Sequence, residues 1–292
     1  MAYTNLNNEI FADAALQGFV SELLPFAAFS TNFAPTPVKK GDTVLVPLIA
    51  SLTATTFSAY NVTGGEMSVV TVTINRHKHV PVGQSDLQAA NSSEASLVKF
   101  AYQQGVALAV AVLSDVFTLL TTGNFGIWNA AISSTAMDVS HLRAARLIMN
   151  RANVPRTNRS LMLDCTPYDA LLGVTNFVQA HMMGDALAIK EGRIPRALGF
   201  ALNELSTGFP GGSVMGFAAH ASAIAIAIRY LQPQDGNTYL DARPVADPTT
   251  GLVMGLRQHY DNNTGLQYLN LEANYGYSTG LTVAGRIIRQ LD

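Results

Sequence analysis

A helical pattern runs from Asn91 to about Leu120 without an interrupting proline, and this one element constrains how the rest of the chain can fold. Asn91 and the glutamate three residues later fit a capping box at its start. At ~1.5 Å per residue the helix would be about 40 Å long, so it must pack along a whole domain. Ala101, Gly105 and Ala109 form a smooth ridge, which predicts that another backbone or a sheet approaches closely.

Charged side chains are scarce in this chain. They make up 13% of the 292 residues, and 48% are hydrophobic, whereas an ordinary soluble domain has about 25% charged residues. Because charged groups lie mostly on surfaces, we expect much of this surface to contact protein rather than water. The formal net charge of -2 argues against a protein built to grip nucleic acid. The apolar content excludes disorder as the dominant state.

Residues 1–40 carry an unusual number of aromatic side chains. Five of the thirteen phenylalanines lie there, namely Phe11, Phe19, Phe26, Phe29 and Phe33. The first two form an i+4 apolar ridge with Ala15 and Leu23, and Pro25 ends the helix that this spacing predicts. We expect this amphipathic arm to cover a neighbouring subunit with its phenylalanines. The alternative is a terminal helix docked in its own core.

A long antiparallel hairpin is predicted after the arm. Thr43 to Ile49 is one strand candidate, and Val69 to Val82, where apolar residues first alternate with polar ones, is the other. The intervening residues 50–68 are small and rich in Thr and Ser, with Glu66 as their only charge. A protruding loop of this composition buries little by itself. We therefore expect this loop, with Glu66, to become ordered against a partner.

The remainder of the chain mixes helices and strands. The pattern predicts helices at 138–152 and 166–173, and strands at 160–164, 254–260, 267–275 and 281–289. Turn residues at 261–265 join two of these strands as a hairpin. Ser222 to Ile228 fits either a helix or a buried strand, since its apolar run has no decisive period.

Few residues suggest chemistry. His77 and His79 project from one face of a predicted strand, as paired metal ligands must. The flanking Arg76 and Lys78 disfavour a divalent cation and no third ligand follows, so we expect a polar strand face instead. Cys165 follows an apolar strand, where a buried, inert thiol is expected. We predict no catalytic, cofactor-binding or metal-ligating residues.

The order of an aromatic arm, a two-stranded loop, a spine helix, a mixed section and closing strands resembles the layout of tailed-bacteriophage major capsid proteins. The segments that look similar are Ala28–Thr31, Gly41–Val44, Val46–Pro47, Asp138–Leu163 and Glu191–Phe200. The resemblance covers nearly the whole chain and lies in the layout of elements. It implies an α+β chain with the tailed-phage capsid fold, which the herpesvirus capsid floor and encapsulins share.

The resemblance also implies a domain organisation. It places an N-terminal arm at 1–40, an extended loop at 41–82, a peripheral domain with the spine helix at 83–122 and 246–292, and an α/β axial domain at 123–245. The family forms pentamers and hexamers that close into an icosahedral shell around double-stranded DNA, which is held without sequence specificity. Contacts in such rings join different patches of each subunit.

Further partners and the location follow from the same resemblance. A portal and a separate scaffolding protein are expected, since no long charged extension precedes the loop. The lone Cys165 and the lack of a secretory pattern favour assembly in a reducing bacterial cytoplasm and a final place in the virion. No cofactor, no membrane and no enzymatic activity are expected.

Two other functions stay open at this stage. An encapsulin-like nanocompartment would use the same fold and bind a cargo peptide inside. A cytoplasmic α/β hydrolase or metalloenzyme would assemble its site from residues scattered along the chain.

The arginines between 143 and 159 have two interpretations of their own. Arg143, Arg146, Arg151, Arg156 and Arg159 could form a basic patch that faces enclosed DNA. They could equally form a solvated helix face with ion pairs to neighbouring subunits.

Overall fold

The computed structural model describes residues 3–39, 41–48, 69–85, 94–128, 131–175, 192–205, 207–210, 213–233 and 239–290. The helices in these ranges are α1 (Tyr3–Leu23), α2 (Glu94–Phe117), α3 (Val139–Arg151) and α4 (Cys165–Leu172). The strands are β1 (Ser30–Pro37), β2 (Thr43–Pro47), β3 (Val69–Thr73), β4 (Arg76–Ser85), β5 (Gly126–Ile127), β6 (Arg159–Asp164), β7 (Arg196–Ala197), β8 (Phe200–Leu205), β9 (Val214–His220), β10 (Ile224–Tyr230), β11 (Asp241–Ala246), β12 (Val253–Asp261), β13 (Leu266–Thr279) and β14 (Gly285–Arg289). Short 3-10 turns at Leu24–Ala28, Ser134–Ala136, Ala221–Ala223 and Thr282–Ala284 connect several of them.

Helix α1 packs against the spine helix α2, and glycines make the close crossing possible. A Cβ added at Gly105 would collide with the carbonyl oxygen of Ala15, and one added at Gly18 would collide with that of Tyr102. The small ridge on α2 therefore admits another backbone, as the sequence predicts, and that backbone is α1 of the same chain. The capping residue expected at Asn91 lies outside the described residues.

Gly105→Leu is expected to lower the free energy of unfolding by about 1–3 kcal/mol, because the added side chain forces two packed backbones apart. Gly123→Leu is the matched control, since a Cβ there would meet only the Thr121 hydroxyl, at 3.9 Å. Urea unfolding of both variants measures the difference. Equal midpoints for Gly105→Leu and the parent protein would show that the crossing is not tight.

The first sheet is built around the long strand β13, and we call it the β13 sheet. Its order is β1-β10-β13-β12-β11, and β4 also pairs with β13. The hairpin predicted near the end of the chain is confirmed as β12 and β13, whose register runs from Gly255 opposite Glu272 to Asp261 opposite Leu266. The ambiguous run at 222–228 is a 3-10 turn followed by strand β10, buried along its whole length.

The base of the predicted two-stranded loop is present as β2 and β3. The predicted second strand is divided into β3 and β4. β2 pairs antiparallel with β3 from Thr43 opposite Thr73 to Pro47 opposite Val69. The chain then enters β4, which pairs with β13 rather than with β2. A single strand from Val69 to Val82 is therefore wrong, because the second half belongs to the β13 sheet. The loop tip at 50–68 lies outside the described residues.

The second sheet, which we call the β9 sheet, has the order β5-β14-β9-β6-β8-β7. Helices α3 and α4 follow the sequence prediction closely, because a carboxylate caps each one. Asp138 accepts from the backbone N–H of Ser140 at 2.8 Å, and Asp164 accepts from that of Cys165 at 2.8 Å. The Ser140 hydroxyl is the main cause of a lowered pKa for the Asp138 carboxyl, as charge-assisted hydrogen bonds at a helix start stabilise the ionised form.

The strand pairing crosses the expected boundary between axial and peripheral domains. β10, at 224–230, was expected in the axial domain, but it pairs with β13 of the peripheral part. β14, at 285–289, was expected in the peripheral part, but it pairs with β9. Each of these two strands therefore pairs across the 245/246 division, and the domain bounds stay a prediction. One apolar cluster joins α1, α2 and both sheets.

Candidate assembly surfaces

Three of the phenylalanines expected to reach a neighbour are buried inside their own protomer. The exposed fractions are 0% for Phe19, 1% for Phe26 and 5% for Phe29. The i+4 ridge of α1 faces α2, so Phe19 enters the core, and the 3-10 turn after α1 brings Phe29 to within 6.3 Å of the Phe217 ring. The expectation that they form assembly contacts is wrong, and the docked-helix alternative describes them.

The remaining residues expected at assembly contacts are Phe11, Phe33 and Glu66. Phe11 and Phe33 are partly buried and pack against the same core. Phe33 lies on β1, which pairs in parallel with β10 of the β13 sheet. Residues 30–37 are thus a sheet strand rather than a free arm. Glu66 lies outside the described residues, so its role stays a prediction.

The two faces of the β2–β3 hairpin differ in what they contact. The inner face forms a small core with β10, made by Val46, Leu48, Val72, Ile74, Ala225 and Ala227. On the outer face, Leu45 and Val69 are 59% and 50% exposed. Thr43, Pro47, Thr71 and Thr73 complete this outer face, which carries no charge. An uncharged sheet face with exposed apolar side chains is a surface that a partner can cover.

A second apolar surface lies on α2. Phe100 is 52% exposed, and no charged residue occurs between Lys99 and Asp115. Tyr102, which is 37% exposed, lies on another side of the helix, with its hydroxyl 3.4 Å from that of Ser21 on α1. Two stretches, Glu9–Ala28 and Val98–Phe117, have the length and hydropathy of membrane-spanning helices, and the protein buries 44% and 50% of them. Their packing against each other and against the sheets is that of core helices.

Asp115 links the spine helix to the strands that follow the hairpin. The hydroxyl of the buried Tyr275 donates to Asp115 Oδ2 at 2.6 Å, and Lys78 Nζ lies 3.4 Å from Oδ1. Arg76 Nη1 lies 3.7 Å from Oδ2 and its guanidinium stacks over the Tyr277 ring at 4.7 Å. Burial, followed by the bond to Asp115, raises the pKa of Tyr275 well above its ordinary value. The network fixes β4 and β13 to α2, so the hairpin root has a rigid support.

The histidine pair considered for a metal is part of a different arrangement. His77 Nε2 lies 3.1 Å from Glu272 Oε2, and the rings of His77 and His79 stack 6.1 Å apart. Glu272 is 4% exposed and accepts a 2.7 Å hydrogen bond from Arg257 Nε. In the part of the chain that the structure describes, no three His, Cys, Asp or Glu side chains lie together as metal ligands would. His77 therefore belongs to a polar cluster with Glu272 and Arg257 on the β13 sheet, and His79 stacks beside it.

Cys165 is exposed rather than buried. It begins α4 directly after β6, and its N–H is held by the Asp164 carboxylate. The apolar pattern of β6 predicts burial only for the residues of that strand. Cys165 is the first residue after the strand and begins α4. Its Sγ has only the Thr166 hydroxyl, at 3.9 Å, as a polar neighbour among the described residues. The hydrogen bonds of the residues that the structure describes place no basic side chain against the thiol.

The arginines on and after α3 are mostly exposed. Arg143, Arg146, Arg151 and Arg156 are exposed, and Arg159 is 5% exposed beneath them. Arg159 donates from Nε to the Pro155 carbonyl at 2.8 Å and from Nη2 to the Val154 carbonyl at 2.6 Å. Burial, then Arg156 and Arg146, lower the pKa of Arg159. Burial and Arg159 in turn lower the pKa of His220.

Comparison with known proteins identifies the fold. No protein-family model matches the chain, and no curated protein matches it in sequence. The structure of Mycobacterium phage Che8 matches with a TM-score of 0.57 at 16% identity, covering 85% of each chain. The capsid structure of cyanophage P-SCSP1u matches with a TM-score of 0.54 at 13% identity, covering 91% of this chain and 87% of that one. The chain has the tailed-phage capsid fold.

The same capsid fold occurs in a virus-like particle from Pyrococcus furiosus. That structure matches with a TM-score of 0.57 at 12% identity and covers 96% of this chain and 98% of that one. The α+β fold class implied by the sequence resemblance is thereby confirmed. Sequence reasoning missed the outer face of β2–β3 and the Phe100 surface. The alternation of Val44, Leu45 and Val46 held a signal for the first, since Leu45 must face away from its neighbours.

Proposed function

We propose that this protein is a major capsid protein that assembles as pentamers and hexamers into an icosahedral shell around the double-stranded DNA of a tailed phage. The observation that carries the proposal is a capsid fold extending over 85–93% of the chain in five phage structures. A fold can host several functions, so the surfaces must supply the second argument. The role is structural, without catalysis, and its place is the virion after assembly in the host cytoplasm.

The exposed outer face of the β2–β3 hairpin supports assembly. Its inner face is used within the protomer, while Leu45 and Val69 on the outer face are about half exposed. A monomer that exposes such groups on an uncharged strand face is prone to associate. A neighbouring subunit that covers this face would bury both side chains. The scarcity of charge in the chain supports the same conclusion.

The domain assignment is part of the proposal in revised form. We assign the β9 sheet with α3 and α4 to the axial domain, and the β13 sheet with α1 and α2 to the peripheral domain. The extended loop is then the β2–β3 root together with 49–68. A separate scaffolding protein and a portal are proposed as partners, as the resemblance implies.

Light scattering on the purified full chain tests the proposal. Particles of megadalton mass, formed alone or with a scaffolding protein, are expected, because a closed icosahedral shell needs many copies of a 31.1 kDa chain. A monomer or small oligomer under every condition would instead favour the enzyme alternative. Nucleic acid inside the particles is the expected cargo. A bound protein cargo in its place would identify the nanocompartment and overturn the phage assignment.

A further inference from the structure

The basic surface near α3 has no negative charge of its own. We call Arg143, Arg146, Arg151 and Arg156 the arginine face. No Asp or Glu occurs between Asp138 and Asp164, and none of the ion pairs among the described residues includes an arginine of this face. The opposite side of α3 buries Leu142, Ala145 and Met149. The helix is therefore held by its apolar side and presents its cations outward.

The positive charges of this region also act on one another. Arg159 lies beneath the face, and its bonds go to the neutral carbonyls of Val154 and Pro155. Burial is the largest cause of its lowered pKa, and the like charges of Arg156 and Arg146 lower that pKa further. Such repulsion destabilises the isolated protomer. An external anion bound at the face would remove it.

Nine of the twenty Asp and Glu side chains of the chain already have partners within the protomer. Hydrogen bonds or ion pairs within the same protomer already engage Glu9, Asp42, Asp115, Asp138, Asp164, Asp241, Asp247, Asp261 and Glu272. A second copy that offered any of these nine carboxylates to the arginine face would have to give up such contacts. A phosphate backbone instead offers a regular series of anions, and the guanidinium fork matches phosphate geometry.

We propose that the arginine face binds the backbone phosphates of double-stranded DNA, without reading sequence. This inference rests on the proposed shell function, because it assigns the arginine face to the inner surface. The few arginines per subunit give a contact that salt weakens readily, since binding by phosphate contacts depends on counter-ion release. Such a wall confines DNA and still lets it move.

The test uses the full chain as dissociated subunits and a fluorescent 30-base-pair DNA duplex of mixed sequence. Arg143→Gln/Arg146→Gln/Arg151→Gln removes three charges from exposed positions. With one phosphate per exposed arginine, the slope of log affinity against log salt is about -3.6 for the parent, and it should change by about 2.7 in the variant. Binding at low salt should weaken at least tenfold.

The matched control is Lys39→Gln/Lys99→Gln/Arg289→Gln, which removes the same charge elsewhere. Arg289 pairs with Val214, at the opposite end of β9 from His220 and Arg159. The control should keep the parent slope. Circular dichroism of both variants verifies folding.

Unchanged DNA binding by the arginine variant would overturn the proposal. If the same variant also failed to assemble, the face would be a contact between copies that buries the half-exposed Leu147. Because the binding is measured on subunits, it does not depend on whether shells form. Electron microscopy of the same preparations tests shell formation separately.

Discussion

Phe19→Ala is expected to lower the free energy of unfolding by about 3–5 kcal/mol, the range for truncating a buried phenylalanine. Phe19 is fully buried in the core cluster, where α1 crosses α2 at Gly18 and Gly105. The glycine contacts hold the helices so close that the cavity cannot collapse easily. Since single domains are stable by only about 5–15 kcal/mol, a subunit with this change should unfold well before the parent in urea.

Phe100→Ala provides the comparison for Phe19→Ala. Phe100 is 52% exposed on the outer side of α2, so its truncation should change subunit stability by no more than about 0.5 kcal/mol. Removing residues 1–29 should have a larger effect than Phe19→Ala and give a chain that does not fold, because Leu23, Phe26 and Phe29 are lost from the core as well. A stable Phe19→Ala subunit that merely assembles poorly would restore the interpretation of an arm reaching a neighbour.

Leu45→Asp/Val69→Asp is expected to abolish particle formation while leaving the subunit folded. Both side chains point away from the small core under the hairpin, so the fold should tolerate the carboxylates within about 0.5 kcal/mol. In an assembled shell the same carboxylates would be buried without partners, which costs several kcal/mol for each contact. Sedimentation velocity should show subunits in place of particles.

The conservative variant Leu45→Met/Val69→Ile is the control for this loss. It keeps the apolar area of the outer face and should assemble like the parent. Normal particles from the aspartate variant would show that the outer face is not a contact between copies. Unfolded subunits would show that the face is needed inside the protomer.

Local structure was predictable where a pattern of single residues decides it. The uninterrupted helical pattern before Leu120 gives α2, the pattern at 138–152 gives α3, and the turn residues at 261–265 give the β12–β13 hairpin. The ridge containing Ala15 and Phe19 also predicts a helix with one buried face. It does not state which molecule buries that face, so the assignment to a neighbour was wrong.

Pairing between distant parts of the chain could not be predicted. β10 carries an apolar run that fits helix or strand, and only its place between β1 and β13 makes it a strand. β14 returns to β9 from far along the chain, since Gly285 lies opposite Ala219 and Arg289 opposite Val214, and no local period reveals this pairing. The low charge content therefore has two causes. One is the uncharged outer face of β2–β3, and the other is the apolar residues that α1 and β1 bury in the protomer's own core.

The most direct test of the account is electron microscopy of the purified full chain over a range of concentration, with and without a scaffolding protein. A major capsid protein is expected to form closed shells of uniform diameter with rings of five and six subunits. A field that contains only single subunits or small open clusters, under conditions where the chain is folded, would contradict this expectation.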